Sequence, residues 1–398
     1  MRPLMEYIRD FGNLTFEEKP FCDMDNIALC EAFYMDIERA APNHFEDEPM
    51  PFDEMARKMF ELNGNKNVPM GLILDKSVSE VVMAMGKTKR FSEVKVTACH
   101  AVYSVDPPIQ FDAGTFILPD GTKVITYRGT DDTLVGWYED TMIMTNKKMP
   151  SNDLAAAYLT EADEKFKDGG FIVTGHSKGG NLALYAAALL PEELMDRVAH
   201  VWDLDGPGFA PEVMSLDLIE KIDPKTTKVI PEYDVIGRIM EVKISDTKVI
   251  VSSNMGILEH NIASWCVDHG RLGLSEVQEP KENVMDATLR NWIESIPFDD
   301  RAVLIDELYE AAAASGAENL EDMAAGGIAG LEAILSKVKG FSDETKRSLA
   351  ELQVAAVDAA KKKITDMPAT VIDITKGLVS TLSEAIFKGK KEAEKADE

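Results

Sequence analysis

Residues 175–179 read Gly175-His176-Ser177-Lys178-Gly179. A Gly-x-Ser-x-Gly unit suits one chemistry above others, attack by an activated serine hydroxyl to give a covalent acyl intermediate. Glycine is needed on both sides because the chain must turn sharply from strand to helix, and larger flanking side chains would collide. The following helix then aims its positive end at the charge that develops on the substrate. The pentapeptide alone is a weak signal, but its setting strengthens it. Phe171-Ile172-Val173-Thr174, short and β-branched, reads as a strand directly before it. Asn181 to Leu190, dense in Ala and Leu, reads as a helix directly after it.

A serine nucleophile needs a base that titrates near neutrality, and histidine is the usual one. Of the six histidines, His176 adjoins Ser177 inside the turn and should point away from the site. His44 lies in the N-terminal zone, His100 within a strand upstream, and His200 before a strand at the opposite end. His260 and His269 follow the last strand, where an α/β-hydrolase places its base. His260, in the loop Gly256-Ile257-Leu258-Glu259-His260-Asn261, is the first choice and His269 the second. The acid belongs after a strand between serine and base. Asp234, in Glu232-Tyr233-Asp234 after Lys228-Val229-Ile230, is the first choice. Asp205, after the strand His200 to Leu204, is the runner-up.

An oxyanion needs two N–H donors. Thr130, in Tyr127-Arg128-Gly129-Thr130 at the end of a strand, and Lys178, after the nucleophile, are assigned, with Asp131 as a lesser choice. The Thr130 hydroxyl is placed to fix its own loop. Residues 132–140 follow, mixing Leu134, Trp137 and Tyr138 with charges. They read equally as a lid or pocket wall and as a buried amphipathic helix. A lysine beside the nucleophile suggests a preference for anionic substrates.

These side chains need a scaffold. Strands are expected at 94–105, 114–118, 123–127, 171–174, 200–204, 228–230 and 248–251, with helices at 154–166, 181–190 and 211–222. Alternation of this kind predicts an α/β fold, a mostly parallel sheet with helices on both faces and ligands beyond the carboxyl ends of the strands. The 398 residues divide into a mixed N-terminal segment (1–90) packing on the core, a hydrolase core (91–280) and a helical C-terminal region (281–398). Helical spacing marks 300–314, 348–364 and 371–387. These read as helices packed on the core or on each other, or as a peripheral membrane or partner contact favoured by Lys361-Lys362-Lys363 and the lysines at 388, 390 and 391.

Formal net charge is -28, with no basic stripe, which argues against nucleic acid. Acidic and aromatic residues near the N-terminus interrupt any signal-peptide core, and no apolar run approaches a membrane span, so a cytoplasmic location is expected. Cys22, Cys30, Cys99 and Cys266 form no CxxC pair or zinc pattern. They are expected to be buried or half-buried thiols, and neither metal nor cofactor is expected.

Tyr-Arg-Gly-Thr with Trp137 and Asp140 resembles the FRG[ST] … W … D segment of class 3 (fungal triacylglycerol-type) lipases. Gly175 to Ala183, GHSKGGNLA, is similar to an uncharacterised bacterial α/β-hydrolase family allied to those lipases. Glu232 to Gly237 and His260 … Ser264-Trp265 resemble that family's acid and base segments. The likeness runs over about residues 20–280, with the helices to about 325 as its outer limit. It implies the α/β-hydrolase fold, Ser177, Asp234 and His260 as the triad, Thr130 as an oxyanion donor, and acyl esters or lipids as substrates. Thioester or peptide hydrolysis with the same triad, and a non-catalytic binding or membrane-associated module with a helical tail, are the other readings.

Overall fold

A computed structural model describes residues 2–68, 77–233, 235–281, 291–319, 337 and 340–351. Residues 1–143 with 147–281 form one compact unit, and 144–146 with 282–398 form a second.

The first unit is built on a main sheet of eight strands among the described residues: β1 (Met50–Pro51), β2 (Lys95–Val105), β3 (Pro108–Ile117), β4 (Lys123–Tyr127), β5 (Phe171–His176), β6 (Val198–Leu204), β7 (Thr226–Pro231) and β8 (Asp246–Ile250). They lie side by side in sequence order. Pairings β1 to β4 are antiparallel and those from β4 to β8 parallel. The helices are α1 (Pro3–Phe11), α2 (Asp23–Ala32), α3 (Phe52–Leu62), α4 (Ser77–Met85), α5 (Lys89–Ser92), α6 (Leu134–Met142), α7 (Pro150–Lys165), α8 (Lys178–Leu189) and α9 (Leu216–Ile222).

Alternation along the strands explains the layers. On β4 and β5, Ile125, Tyr127, Phe171 and Val173 face a core shared with α7 and α8. Val124 and Ile172 face the opposite core, shared with α1 to α4. Each strand therefore buries both faces, as parallel strands under two helical layers must. This is an α/β-hydrolase fold, a mostly parallel sheet carrying helices on both sides. Residues 1–90 supply most of one layer.

The expected strands fall where they were read; β3, β5, β6 and β7 run longer, β4 has the bounds read for it, β2 begins one residue later, and β8 begins two residues earlier and ends one earlier. β3 begins at Pro108 rather than Gly114 because the β2–β3 ladder continues to Val105↔Pro108. α8 begins at Lys178, three residues before the sequence signal, because the strand passes to helix without a loop. The second unit has a helix, Phe298–Ala313, and an apolar cluster of its own formed by Ile296, Leu304, Ala311, Phe341 and Leu349. Of the helix read at 348–364 only 348–351 is described, and the reading at 371–387 lies outside the described residues. Among the described residues no helix is long and apolar enough to cross a membrane. Cys22, Cys30 and Cys99 are buried free thiols, and Cys266 is a half-buried one.

Candidate active site

Ser177 lies between β5 and α8 with φ 59° and ψ −130°, a conformation that L residues seldom take. The turn has no space for side chains at its flanks. A Cβ on Gly175 would lie 2.1 Å from the Gly179 carbonyl oxygen, and one on Gly179 would lie 2.2 Å from that of Tyr127. The Ser177 N–H donates to the Leu204 carbonyl at 3.0 Å, tying the elbow to β6. Asp205 follows Leu204, the last residue of β6, and also has positive φ, 55°. The Asp205 N–H in turn donates to the Val229 carbonyl on β7 at 2.8 Å. Ser177 and Asp205 thus lie on neighbouring strands at the carboxyl edge of the sheet.

A buried ion pair shapes the turn after Asp205. Lys228 Nζ meets Asp203 Oδ2 at 3.0 Å, with both side chains at most 1% exposed. Asp203 Oδ1 accepts the Gly206 N–H at 2.8 Å, and Lys228 Nζ donates to the Gly206 carbonyl at 2.8 Å. Burial pushes the Asp203 carboxyl above its usual range, with Lys228 opposing.

His260, the candidate base, arrives on a short 3-10 helix, Gly256–His260, after β8. His260 Nδ1 lies 2.6 Å from Asp205 Oδ2. The carboxylate side chain is fully buried and the imidazole 19% exposed. A carboxylate at Nδ1 fixes the proton there and leaves Nε2 as the acceptor. The His260 segment is braced by Trp265, whose indole N–H donates to the Glu259 carbonyl at 2.8 Å.

The partner of His260 is therefore the runner-up of the sequence reading. Asp234, its first choice, lies outside the described residues. The physical reason for Asp205 is strand order. β6 is the direct parallel neighbour of β5, so the residue after β6 stands next to Ser177. The other histidines are engaged elsewhere. His200 bonds Thr227 Oγ1 at 2.9 Å, His100 packs edge-on against Tyr158 and Phe45, His44 lies edge-on to His100, and the His269 side chain is 95% exposed.

Thr130 follows β4, and its hydroxyl donates to Asp140 Oδ1 at 2.5 Å. Asp140 keeps part of its surface open, yet desolvation pushes its carboxyl up to about 6 against the pull of Lys178 and of the Thr130 hydroxyl. Arg128, just upstream, is buried and holds Asp36 and Asp112, each at 2.8 Å. Lys178 is the first residue of α8, and the N–H of a first helical residue has no intrahelical acceptor.

The Lys178 side chain corrects one expectation. It is fully buried, and its ammonium is taken up by Glu139 Oε2 (3.0 Å), the Gln110 carbonyl (2.7 Å) and Gln110 Oε1 (2.6 Å). It presents no cation to a substrate, so the suggested preference for anionic substrates has no basis. Glu139 sits on α6, the helix of the lid reading. There Leu134 is buried, Trp137 and Tyr138 are half-buried, and the Thr133 hydroxyl caps the N-terminus by accepting the Gly136 N–H at 3.1 Å.

Sequence reasoning overlooked Asp203, Lys228, Glu139 and Gln110. A signal existed for the first two: opposite charges inside two apolar strands, Asp203 in β6 and Lys228 in β7. Glu139 carried none, since an acid in a mixed helix reads as solvated.

Strand, elbow and late histidine define an α/β-hydrolase-fold protein with a serine on a nucleophile elbow and an Asp-His pair beside it. The profile of the Mbeg1-like family matches residues 85–310, and the chain belongs to that family. No curated protein matches. Among solved structures, a mutant form of MDLA from Penicillium cyclopium is 12% identical, with 64% of this chain and 84% of that one covered and a TM-score of 0.38. A lipase of Rhizomucor miehei in complex with its propeptide is 14% identical, with 56% and 66% covered and a TM-score of 0.34. A lipase from Rhizopus microsporus var. chinensis is 12% identical, with 68% and 86% covered and a TM-score of 0.30.

Proposed function

We propose that this chain is a serine hydrolase that cleaves carboxylic esters, with Ser177 as nucleophile, His260 as base and Asp205 as acid. The observation that carries the reading is the 2.6 Å contact between His260 Nδ1 and Asp205 Oδ2, on the strand next to a serine held at positive φ. Ser177 Oγ attacks the acyl carbon while His260 Nε2 takes its proton. The Lys178 and Thr130 N–H groups receive the oxyanion. His260 then protonates the leaving alkoxide, and water, activated by the same imidazole, releases the acid from Ser177. Asp205 stabilises the imidazolium in both halves and gains no proton itself.

The ester class rests on the likeness of Tyr127 to Thr130, Trp137 and Asp140 to the class 3 lipase segment. Thioesters and amides would follow the same steps. A panel of p-nitrophenyl esters from acetate to palmitate, with a thioester and an anilide as comparators, tests the reading. Wild type should turn over esters fastest, and Ser177→Ala should lose about 10⁴-fold or more of that rate. Equal turnover by Ser177→Ala would end the proposal, and a faster thioester or anilide would move the substrate class.

A further inference from the structure

His176 sits between the nucleophile and a chain of buried hydrogen bonds that the hydrolytic steps do not use. Its Nε2 lies 2.7 Å from the backbone carbonyl of His260. A carbonyl only accepts, so Nε2 carries a hydrogen and donates. Its Nδ1 lies 2.7 Å from the Tyr34 hydroxyl. With Nε2 protonated in a neutral ring, Nδ1 is the acceptor and Tyr34 the donor. The two imidazoles lie close together and tilted, with ring centroids 4.4 Å apart and an interplanar angle of 34°. Tyr34, just past the end of α2, also abuts the turn that leads to Thr130, since a Cβ on Gly129 would come 2.2 Å from its hydroxyl.

We propose that His176 is a positioning residue for the base, holding the His260 backbone through a Tyr34 O–H···Nδ1, Nε2–H···O=C relay, so that the imidazole of His260 is set over the elbow. The inference rests on the hydrolase reading above. Three strands of argument carry it. First, His176 and Tyr34 are both buried, so water does not compete for these bonds. Second, the His260 segment is gripped at two successive carbonyls, Glu259 by the Trp265 indole and His260 by the His176 imidazole, which fixes the peptide from which the base projects. Third, the two histidines share a fixed arrangement, because His176 adjoins Ser177 in the strained turn and cannot move without it. A protonated His176 would lose the acceptor that Tyr34 needs. Burial, with the neighbouring His260 adding to it, holds the His176 imidazole well below its usual value and keeps the ring neutral; the bond to the His260 carbonyl opposes them only in part.

The test uses the full chain. In wild type, ¹⁵N spectra of histidine-labelled protein should place His176 in the Nε2–H tautomer with no titration between pH 5 and 8. A titrating His176, or the Nδ1–H tautomer, would overturn the proposal whatever any variant does. His176→Phe should lower kcat by about tenfold or more with KM within about twofold, since small misplacement of a reacting group is costly. His176→Gln, which keeps a donor at the Nε2 position, should recover most of that loss. Unchanged kcat in His176→Phe, or a Gln variant as slow as the Phe variant, would overturn it. Fluorophosphonate labelling separates this failure from failure of the hydrolase reading. His176→Phe should still label to full stoichiometry at Ser177, only more slowly, whereas wild type that does not label would sink the hydrolase reading itself.

Discussion

Asp205 and Lys178 show how much a single residue's function depends on what surrounds it. Asp205 is assigned the acid's role because its carboxylate meets His260 Nδ1. Replacing it by Asn offers the imidazole a hydrogen where it needs an acceptor, and the wrong tautomer follows. Asp205→Asn should lower kcat by about 10³- to 10⁴-fold, measured on the best ester of the panel. A full loss in Asp234→Asn with little change in Asp205→Asn would reverse the assignment. Lys178 belongs to a buried pair, and breaking such a pair strands a charge. Lys178→Leu should destabilise the fold by about 3–5 kcal/mol in denaturant titration while leaving the ratio of neutral to anionic ester turnover unchanged. Lys178→Leu/Glu139→Leu should regain part of that stability, because neither charge is then left alone. A changed ester ratio without a stability loss would contradict the buried placement.

At the scale of elements, the proposed nucleophile, Ser177, is a property of one junction, β5 into α8 with no intervening loop. Gly179→Ala would set a methyl 2.2 Å from the Tyr127 carbonyl oxygen, and backbone cannot swing aside as a flexible side chain can. A loss of about 3 kcal/mol or more is expected, read as a lowered denaturation midpoint. Wild-type stability in that variant would mean that the turn is looser than described. The junction was legible in the sequence because its requirements are local: a β-branched run, two flanking glycines, an Ala-rich helix. The choice of His260 rested on a similar reason, the fixed chain order in which the proposed base follows the last strand. The contact between Asp205 and His260 was not legible, because Asp205 and Asp234 both follow strands and only strand order brings β6 beside β5. The Asp203–Lys228 clamp and the Lys178–Glu139 pair also join distant elements, and spacing along the chain does not reveal such pairs. His176 was read as turning away from the site, and its bonds to Tyr34 and to the His260 carbonyl lie across three segments.

On the scale of the whole molecule, charge sets the pH response. Acidic residues outnumber basic ones 70 to 42, and some sit where ionisation is unfavourable. Burial pushes Glu38 up to about 7, with Asp36 adding to it and Arg128 opposing. In the unfolded chain a glutamate titrates near 4.3. The folded state therefore holds this proton more tightly, and Glu38 costs stability progressively as pH rises from about 4.3 to 7. Glu38→Gln should accordingly gain Tm relative to wild type as pH goes from 5 to 8, measured by scanning calorimetry in one buffer series. A constant difference across that range would show that Glu38 titrates normally. The three-layer architecture was legible from alternating strands and helices, whereas the N-terminal 90 residues read only as a mixed segment packing on the core, and that they supply most of one layer was not legible. Their apolar positions are scattered over short helices, and only the assembled sheet shows what they cover.

Fluorophosphonate labelling with peptide mapping tests the central claim most directly, because it needs no knowledge of the natural substrate. The wild-type chain should take up one equivalent, on the peptide that holds Ser177, and Asp205→Asn should label far more slowly at the same residue. A folded wild-type chain that stays unlabelled, or carries its label on another residue, would contradict the account.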